Sequence, residues 1–197
     1  MHFFNNLNLD FIRYNMVLLE KCRDDIRRER KLNYHLYMAL KKSLYKPGAF
    51  YKGILLPLAQ SQTCTLREAT IIGSVMAKVS IPADHSAVAL LKLTQLPYSG
   101  STSLFIRVLL NKKYALPQRV LDSLLDHFCS AENDRRQRPV AWHQSLLVFV
   151  QRYKNYFDEV SRARIKQLMK THGHPMISLE VKRELASCED DDASMKM

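Results

Sequence analysis

Glycine and proline are scarce in this chain of 197 residues, with 5 and 7 respectively. Their scarcity leaves long uninterrupted stretches, which favours helices, and no segment shows the period-2 alternation of a half-buried strand. The four cysteines, Cys22, Cys64, Cys129 and Cys188, include no CxxC pair and no histidine stands at zinc-finger spacing. They read as reduced thiols, most of them filling core, in a reducing compartment. No apolar run approaches the ~20 residues of a membrane span. The opening "MHFFNNLNLDFIRYN" has neither the basic region nor the continuous apolar region of a signal peptide. With no Asn-x-Ser/Thr sequon either, the expectation is a nuclear or cytosolic protein without membrane association.

Catalytic signatures are also missing. There is no GxxxxGK[ST] loop, GxGxxG, GxSxG elbow or HExxH. Asp84, His85 and Ser86 are the residue types of a hydrolytic triad, but neighbours on one helix cannot converge on a shared atom. His172 and His174 flank Gly173 without a third metal ligand nearby, so a helix C-terminal cap through Gly173 is the expectation. Asp122 and Asp126, with His127, read as a solvated helix face. His143, beside Trp142, reads as an interior polar residue. No catalytic residue, cofactor or metal site is expected.

Charge of one sign dominates what is present. The formal net charge is +11. The acidic tail "CEDDDASMKM" masks part of the excess, since residues 1–185 hold 29 basic and 15 acidic residues, a net +14. Such an excess points to nucleic acid, an anionic membrane or an acidic partner. The cations cluster: Lys41, Lys42, Lys46 and Lys52 surround a Pro47–Gly48 break with Leu44, Tyr45, Phe50 and Tyr51. Lys112 and Lys113 close a later helix beside Tyr114. Arg135, Arg136 and Arg138 crowd one loop, and Arg152 and Lys154 flank Tyr153. A lysine near a helix C-terminus complements the dipole for ~0.3–1 kcal/mol, which accounts well for Lys112 and Lys113 and partly for Lys41 and Lys42. It accounts less well for Lys46 and Lys52.

Periodicity supplies the rest. Residues 11–45 form one long helix or two broken near Lys31–Asn33, with the charged "CRDDIRRERK" solvated and Leu32, Leu36, Leu40 and Leu44 as an apolar stripe. Pro47 ends that run, and Ala49 to Ala59 is helical. Thr65 and Glu68 make a capping box ahead of Leu66, Ala69, Ile72, Val75, Met76 and Val79, which are expected to face inward. Further helices start near Ala83, Thr102, Gln118, Val140, Arg162 and Leu179, with the helix after Pro82 central, Pro117 in a first turn and Ser178 an N-cap. The expected class is all-α, an irregular α-solenoid or orthogonal bundle of about nine short-to-medium helices. Residues 1–187 are expected to form a single domain, followed by an acidic flexible tail at 188–197.

The phrases "LNYHLYMALKKSLYKPGAFYKGILLPL", "CTLREATIIGSVMAKVSIPADHSAVALLKL", "LLNKKYALPQRVLD", "WHQSLLVFVQRYKN" and "EVKRELAS" run in order over residues 32–187. Together they resemble the bystin family, essential nuclear proteins of small-subunit ribosome assembly. The resemblance implies the C-terminal core of such a protein, since family members carry a longer polar N-terminal region. It implies a non-enzymatic helical scaffold that joins the nucleolar small-subunit precursor and stays on the particle through export to the cytoplasm. It implies partners in small-subunit precursor rRNA, ribosomal proteins and other assembly factors of the subunit head, with one copy per particle. Joined with the charge clusters, it nominates Lys41, Lys42, Lys46, Lys52, Lys112, Lys113 and Arg152 for RNA contact. Arg135, Arg136 and Arg138 serve either RNA or a protein. The competing expectation is a protein-interaction adaptor whose basic surface holds an acidic peptide.

Overall fold

The computed structural model describes residues 2–133 and 137–194. It is helical throughout, with no strand among the described residues, in ten helical runs where about nine were expected. The chain divides into two compact units, Met1–Leu116 and Pro117–Met197.

The first unit begins with α1 (His2–Glu29) and α2 (Tyr34–Ser43). The two break where the alternative reading put them. Arg30 is left-handed with φ 59°, and Asn33 caps α2 by accepting from the His35 amide at 2.8 Å. One continuous run follows: α3 (Pro47–Phe50), a π-helical turn (Tyr51–Leu55) and α4 (Leu56–Gln60). Pro47 starts this run rather than only ending the last one, because its fixed φ suits a first turn where the missing N–H is unneeded. Then come α5 (Leu66–Lys78), α6 (Ala83–Thr94) and α7 (Gly100–Leu110).

The capping box at the start of α5 is complete in both directions, with the Thr65 hydroxyl accepting from Glu68 N and the Glu68 carboxylate accepting from Thr65 N. Ala69, Ile72, Val75 and Met76 are buried as expected, but Leu66 is exposed. It stands in the first turn, where its side chain reaches Gly100 at the start of α7 and is otherwise left to solvent. The central helix is α7, not the helix after Pro82. Ser101 to Ile106 are buried without interruption on α7, whereas Val88 on α6 faces outward. The charged segment of α1 is also less solvated than its composition predicts, since Cys22, Arg23 and Ile26 are buried.

Arg23 explains how that is possible. Its Nε lies 2.9 Å from Glu68 Oε1, and its Nη2 donates to Thr63 Oγ1 at 2.8 Å. The capping carboxylate therefore also neutralises a cation from a helix 45 residues earlier, which ties α1 to α5. The π-helical turn packs on α1 as well. Gly53 sits there so closely that a Cβ would lie 2.7 Å from Asn15 Cβ and 2.8 Å from the Ile12 carbonyl oxygen. Only glycine permits that approach.

The second unit holds α8 (Gln118–Cys129), α9 (Val140–Tyr153), α10 (Glu159–Thr171) and α11 (Ile177–Ser194), with 3-10 turns at Ser130–Asn133 and Lys154–Tyr156. Pro117 is the N-cap of α8 rather than a residue of its first turn. The helix α11 packs on α9, and α10 packs on α8 and α11. The core is aromatic: Phe128 stacks on Phe149 with centroids 5.6 Å apart, and meets Trp142 edge-on at 5.9 Å. Val120, Leu121, Leu124, Leu125 and Phe128 on α8, and Trp142, Leu146, Phe149, Val150 and Tyr153 on α9, are all buried as their spacing predicts.

Two local expectations fail at the histidines. Gly173 has no positive φ; the cap is closed by the His172 amide on the Leu168 carbonyl instead. Ser178 lies inside α11, not at its N-cap, and its hydroxyl accepts from His174 N at 2.8 Å.

Candidate nucleic-acid interface

The segment from Asn33 to Leu66 contains no acidic residue. It forms α2 and the continuous helical run after it, joined by a corner at residues 44–46. Helix geometry sorts its side chains. Leu40 and Leu44 point into the core, and the Ser43 hydroxyl closes on the Leu40 carbonyl at 2.7 Å. Phe50 and Tyr51 are buried past the corner, with the Tyr51 hydroxyl 3.1 Å from Ser86 Oγ. Burial pushes the Tyr51 phenol up to about 12, so it stays a neutral hydrogen-bonding group. That leaves Lys41, Lys42, Tyr45, Lys46 and Lys52 outside.

The corner itself is held by backbone bonds, Tyr45 N to Lys42 O at 3.1 Å and Lys46 N to Ser43 O at 3.2 Å. Tyr45 is 84% exposed, the highest value among the large hydrophobic side chains described. Lys46 Nζ rests 3.7 Å from the centre of the Phe11 ring, a cation–π contact that fixes the ammonium without neutralising it. Among the described residues, Lys41, Lys42, Lys46 and Lys52 take part in no ion pair.

Lys112 is different. Its Nζ donates to the Ala77 and Val79 carbonyls at 2.7 and 2.6 Å, so it caps the C-terminus of the neighbouring α5 rather than complementing its own helix. Burial lowers its pKa. Tyr114 likewise donates to the Ile81 carbonyl, and Lys113, left-handed at φ 58°, stays exposed. In the second unit Arg152 is exposed, while Lys154 pairs with Glu184 at 3.1 Å and donates to Ser187 Oγ at 2.7 Å. Arg138 is half-buried; Arg135 and Arg136 lie outside the described residues. Asp126 is solvated as its helix face suggests, 68% exposed, and makes a surface pair with Arg164 at 2.9 Å. His143 is buried, and burial holds its pKa down, assisted by His174 and His172.

Two features escaped the sequence reading. One is a further basic cluster in the first unit: Arg67 donates to the Arg30 carbonyl at 2.9 Å, which places it at the end of α1 with exposed Arg27, Arg28, Arg30 and Lys31. In sequence these arginines are interleaved with Asp24, Asp25 and Glu29, which hides the cluster. The other is the distribution of charge between the units. Met1–Leu116 holds 17 basic against 7 acidic residues, a net +10, and one of those acids is the buried partner of Arg23. Pro117–Met197 holds 13 against 12, a net +1. Residues 117–187 hold 12 basic against 8 acidic residues, a smaller excess than the first unit's, and the four tail acids bring the second unit close to balance while the first stays uncompensated.

Among the described residues, no group of His, Cys, Asp or Glu is placed to hold a metal ion, and no helix is long and apolar enough to cross a membrane. Cys22, Cys64 and Cys129 form no disulfide among the described residues, and burial raises Cys22 to about 12 and Cys64 to about 11.

A model of the bystin family matches residues 3–195. The chain belongs to the bystin family. The match takes in α1, which the phrases at 32–187 had left out. The chain is 52% identical over 179 residues to bystin of Rattus norvegicus, covering 91% of this chain and 41% of the relative. It is 57% identical over 172 residues to bystin of Dictyostelium discoideum (87% and 36%) and 50% over 184 residues to that of Monosiga brevicollis (93% and 44%). The chain thus spans about two fifths of the length of these bystins.

Proposed function

We propose that this chain belongs to a non-enzymatic assembly factor of the small (40S) ribosomal subunit. It binds precursor rRNA and the ribosomal and assembly proteins of the subunit head during 18S rRNA maturation. It works as a single copy in the nucleolus and nucleus, and reaches the cytoplasm on the exported particle. The observation that carries this reading is the uncompensated charge of the first unit, a net +10, with four lysines at one acid-free corner in no ion pair among the described residues. Phosphates are the ligands such lysines suit, because each contact releases condensed counterions. Family membership supports this choice of particle: the bystin likeness covers residues 3–195, and the small-subunit role is what that likeness implies.

Salt-titrated binding to small-subunit head rRNA tests it. Affinity should fall steeply with salt, and the slope of log K against log salt should flatten by about 0.7 to 0.9 for each phosphate contact removed. A Lys41→Glu, Lys46→Glu, Lys52→Glu variant should show that flattening. If it binds rRNA as well as the parent and loses an acidic protein partner instead, the corner is a protein-docking surface and the RNA reading of it is wrong.

A further inference from the structure

We infer that Tyr45 is a stacking platform for an unpaired base, and that the corner at residues 41–46 therefore selects single-stranded or bulged RNA over continuous duplex. This rests on the RNA reading above and names the kind of RNA.

The four large side chains of the corner had equal claims to the core by composition. Leu44, Phe50 and Tyr51 are in it, at 2%, 0% and 3% exposure, and Tyr45 is out. Its exposure is not the slack of a loose loop: its own amide and that of Lys46 are hydrogen-bonded, Leu44 anchors the preceding position, and Pro47 begins a helix two residues on. Two other exposed tyrosines, Tyr34 and Tyr156, have ring partners. Tyr34 meets His35 edge-on at 5.8 Å, and Tyr156 lies against Tyr153 at 6.4 Å. Tyr45 has none among the described residues, so its π-face is open.

The ring is also framed by charge. Lys41 and Lys42 stand four and three residues before it on the last turn of α2, and Lys46 follows it directly. The Phe11 ring holds the Lys46 ammonium in place before any ligand arrives, which lowers the ordering cost of binding. An aromatic face beside cations is the arrangement on which successive nucleotides bind, base on ring and phosphate on ammonium. A continuous duplex cannot use the ring, because its bases are already stacked and its A-form major groove is closed to side chains. An acidic peptide would use the lysines and gain little from an open ring.

The test is binding of the full chain to a single-stranded RNA and to a blunt duplex of equal length. Stacking of a base on an aromatic side chain is worth ~1–3 kcal/mol, so Tyr45→Ala should weaken single-strand binding roughly 5- to 150-fold. Tyr45→Phe, which keeps the π-face, should stay near the parent. Duplex affinity and the salt slope should not change in Tyr45→Ala, whereas Lys41→Glu with Lys42→Glu should weaken both RNAs and flatten both slopes. Because the ring is almost wholly exposed, Tyr45→Ala should unfold at the parent's midpoint, so a loss of binding cannot be put down to folding. Equal weakening on both RNAs, a Phe variant as poor as the Ala variant, or no effect of Tyr45→Ala would each overturn the platform while leaving electrostatic RNA binding intact. Salt-insensitive or absent binding of the parent to either RNA would instead remove the RNA reading itself, and the platform with it.

Discussion

Two lysine pairs in this protein look alike in sequence and have opposite fates. Lys41–Lys42 and Lys112–Lys113 both close a helix, and each is followed within a few residues by a tyrosine. At the later pair, Lys112 and Tyr114 reach back over 33 to 35 residues to the carbonyls at the end of α5 and the loop after it. At the earlier pair, both ammonium groups and the Tyr45 ring stay in solvent. At the later pair Lys112 ties the structure together while Lys113 stays exposed; the earlier pair is wholly surface. The difference is not in the residues but in whether an orphan helix terminus lies within reach. The same division runs between cations throughout: Arg23 and Lys154 are committed to partners, whereas Lys41, Lys42 and Lys52 are in no ion pair among the described residues.

That contrast ranks the consequences of removing each cation. Arg23→Ala should be the most damaging, at about 3–5 kcal/mol, because it strands the buried Glu68 carboxylate. Urea unfolding followed by circular dichroism measures it, and a loss below 1 kcal/mol would show that the pair does not tie α1 to α5. Glu68 also carries a pH signature. Burial alone would raise its carboxyl, but bonds from the Thr65 backbone, the Arg23 guanidinium and the Thr65 hydroxyl outweigh it and hold the pKa below the ordinary 4.5. Stability from this group is therefore complete above pH 4.5 and is lost as pH falls through the depressed folded value. A Glu68→Gln variant should be less stable at neutral pH and lose less on acidification; parallel pH curves for the two proteins would refute the assignment.

Next should come Lys112→Met, at about 1.5–3 kcal/mol, since hydrogen bonds to a charged donor are the stronger kind and two carbonyls lose theirs. Tyr114→Phe should follow at about 1 kcal/mol, a single neutral hydrogen bond. Lys154→Met, in the half-buried pair with Glu184, should cost about 1 kcal/mol or less. Lys41→Ser with Lys42→Ser should leave the unfolding midpoint where it is and reduce only the salt dependence of RNA binding. Equal destabilisation by the Lys41–Lys42 and Lys112 changes would erase the distinction between the two pairs.

Much of the helical framework was readable from local chemistry. Helix starts at Leu66, Ala83, Gln118 and Val140 fall where caps, prolines and apolar periodicity place them, and the Thr65–Glu68 box forms as written. The Leu66 and Ser178 misplacements show the limit of periodicity at the first turn of a helix, where a register difference of one or two residues decides inside from outside. Of the nominated residues, Lys41, Lys42, Lys46 and Lys52 stand exposed, as their charge leads one to expect.

The sequence by itself determined the all-helical class, the positions of most helix ends, the basic character and the family, because these follow from neighbours within a few residues or from summed composition. Only the tertiary structure decided which cation is free. Arg23 meets Glu68 across 45 residues, Lys112 meets Ala77 across 35, and Lys46 meets the Phe11 ring across 35. A lysine's role depends on the carbonyl, carboxylate or ring that folding brings to it, and no local pattern records that distance.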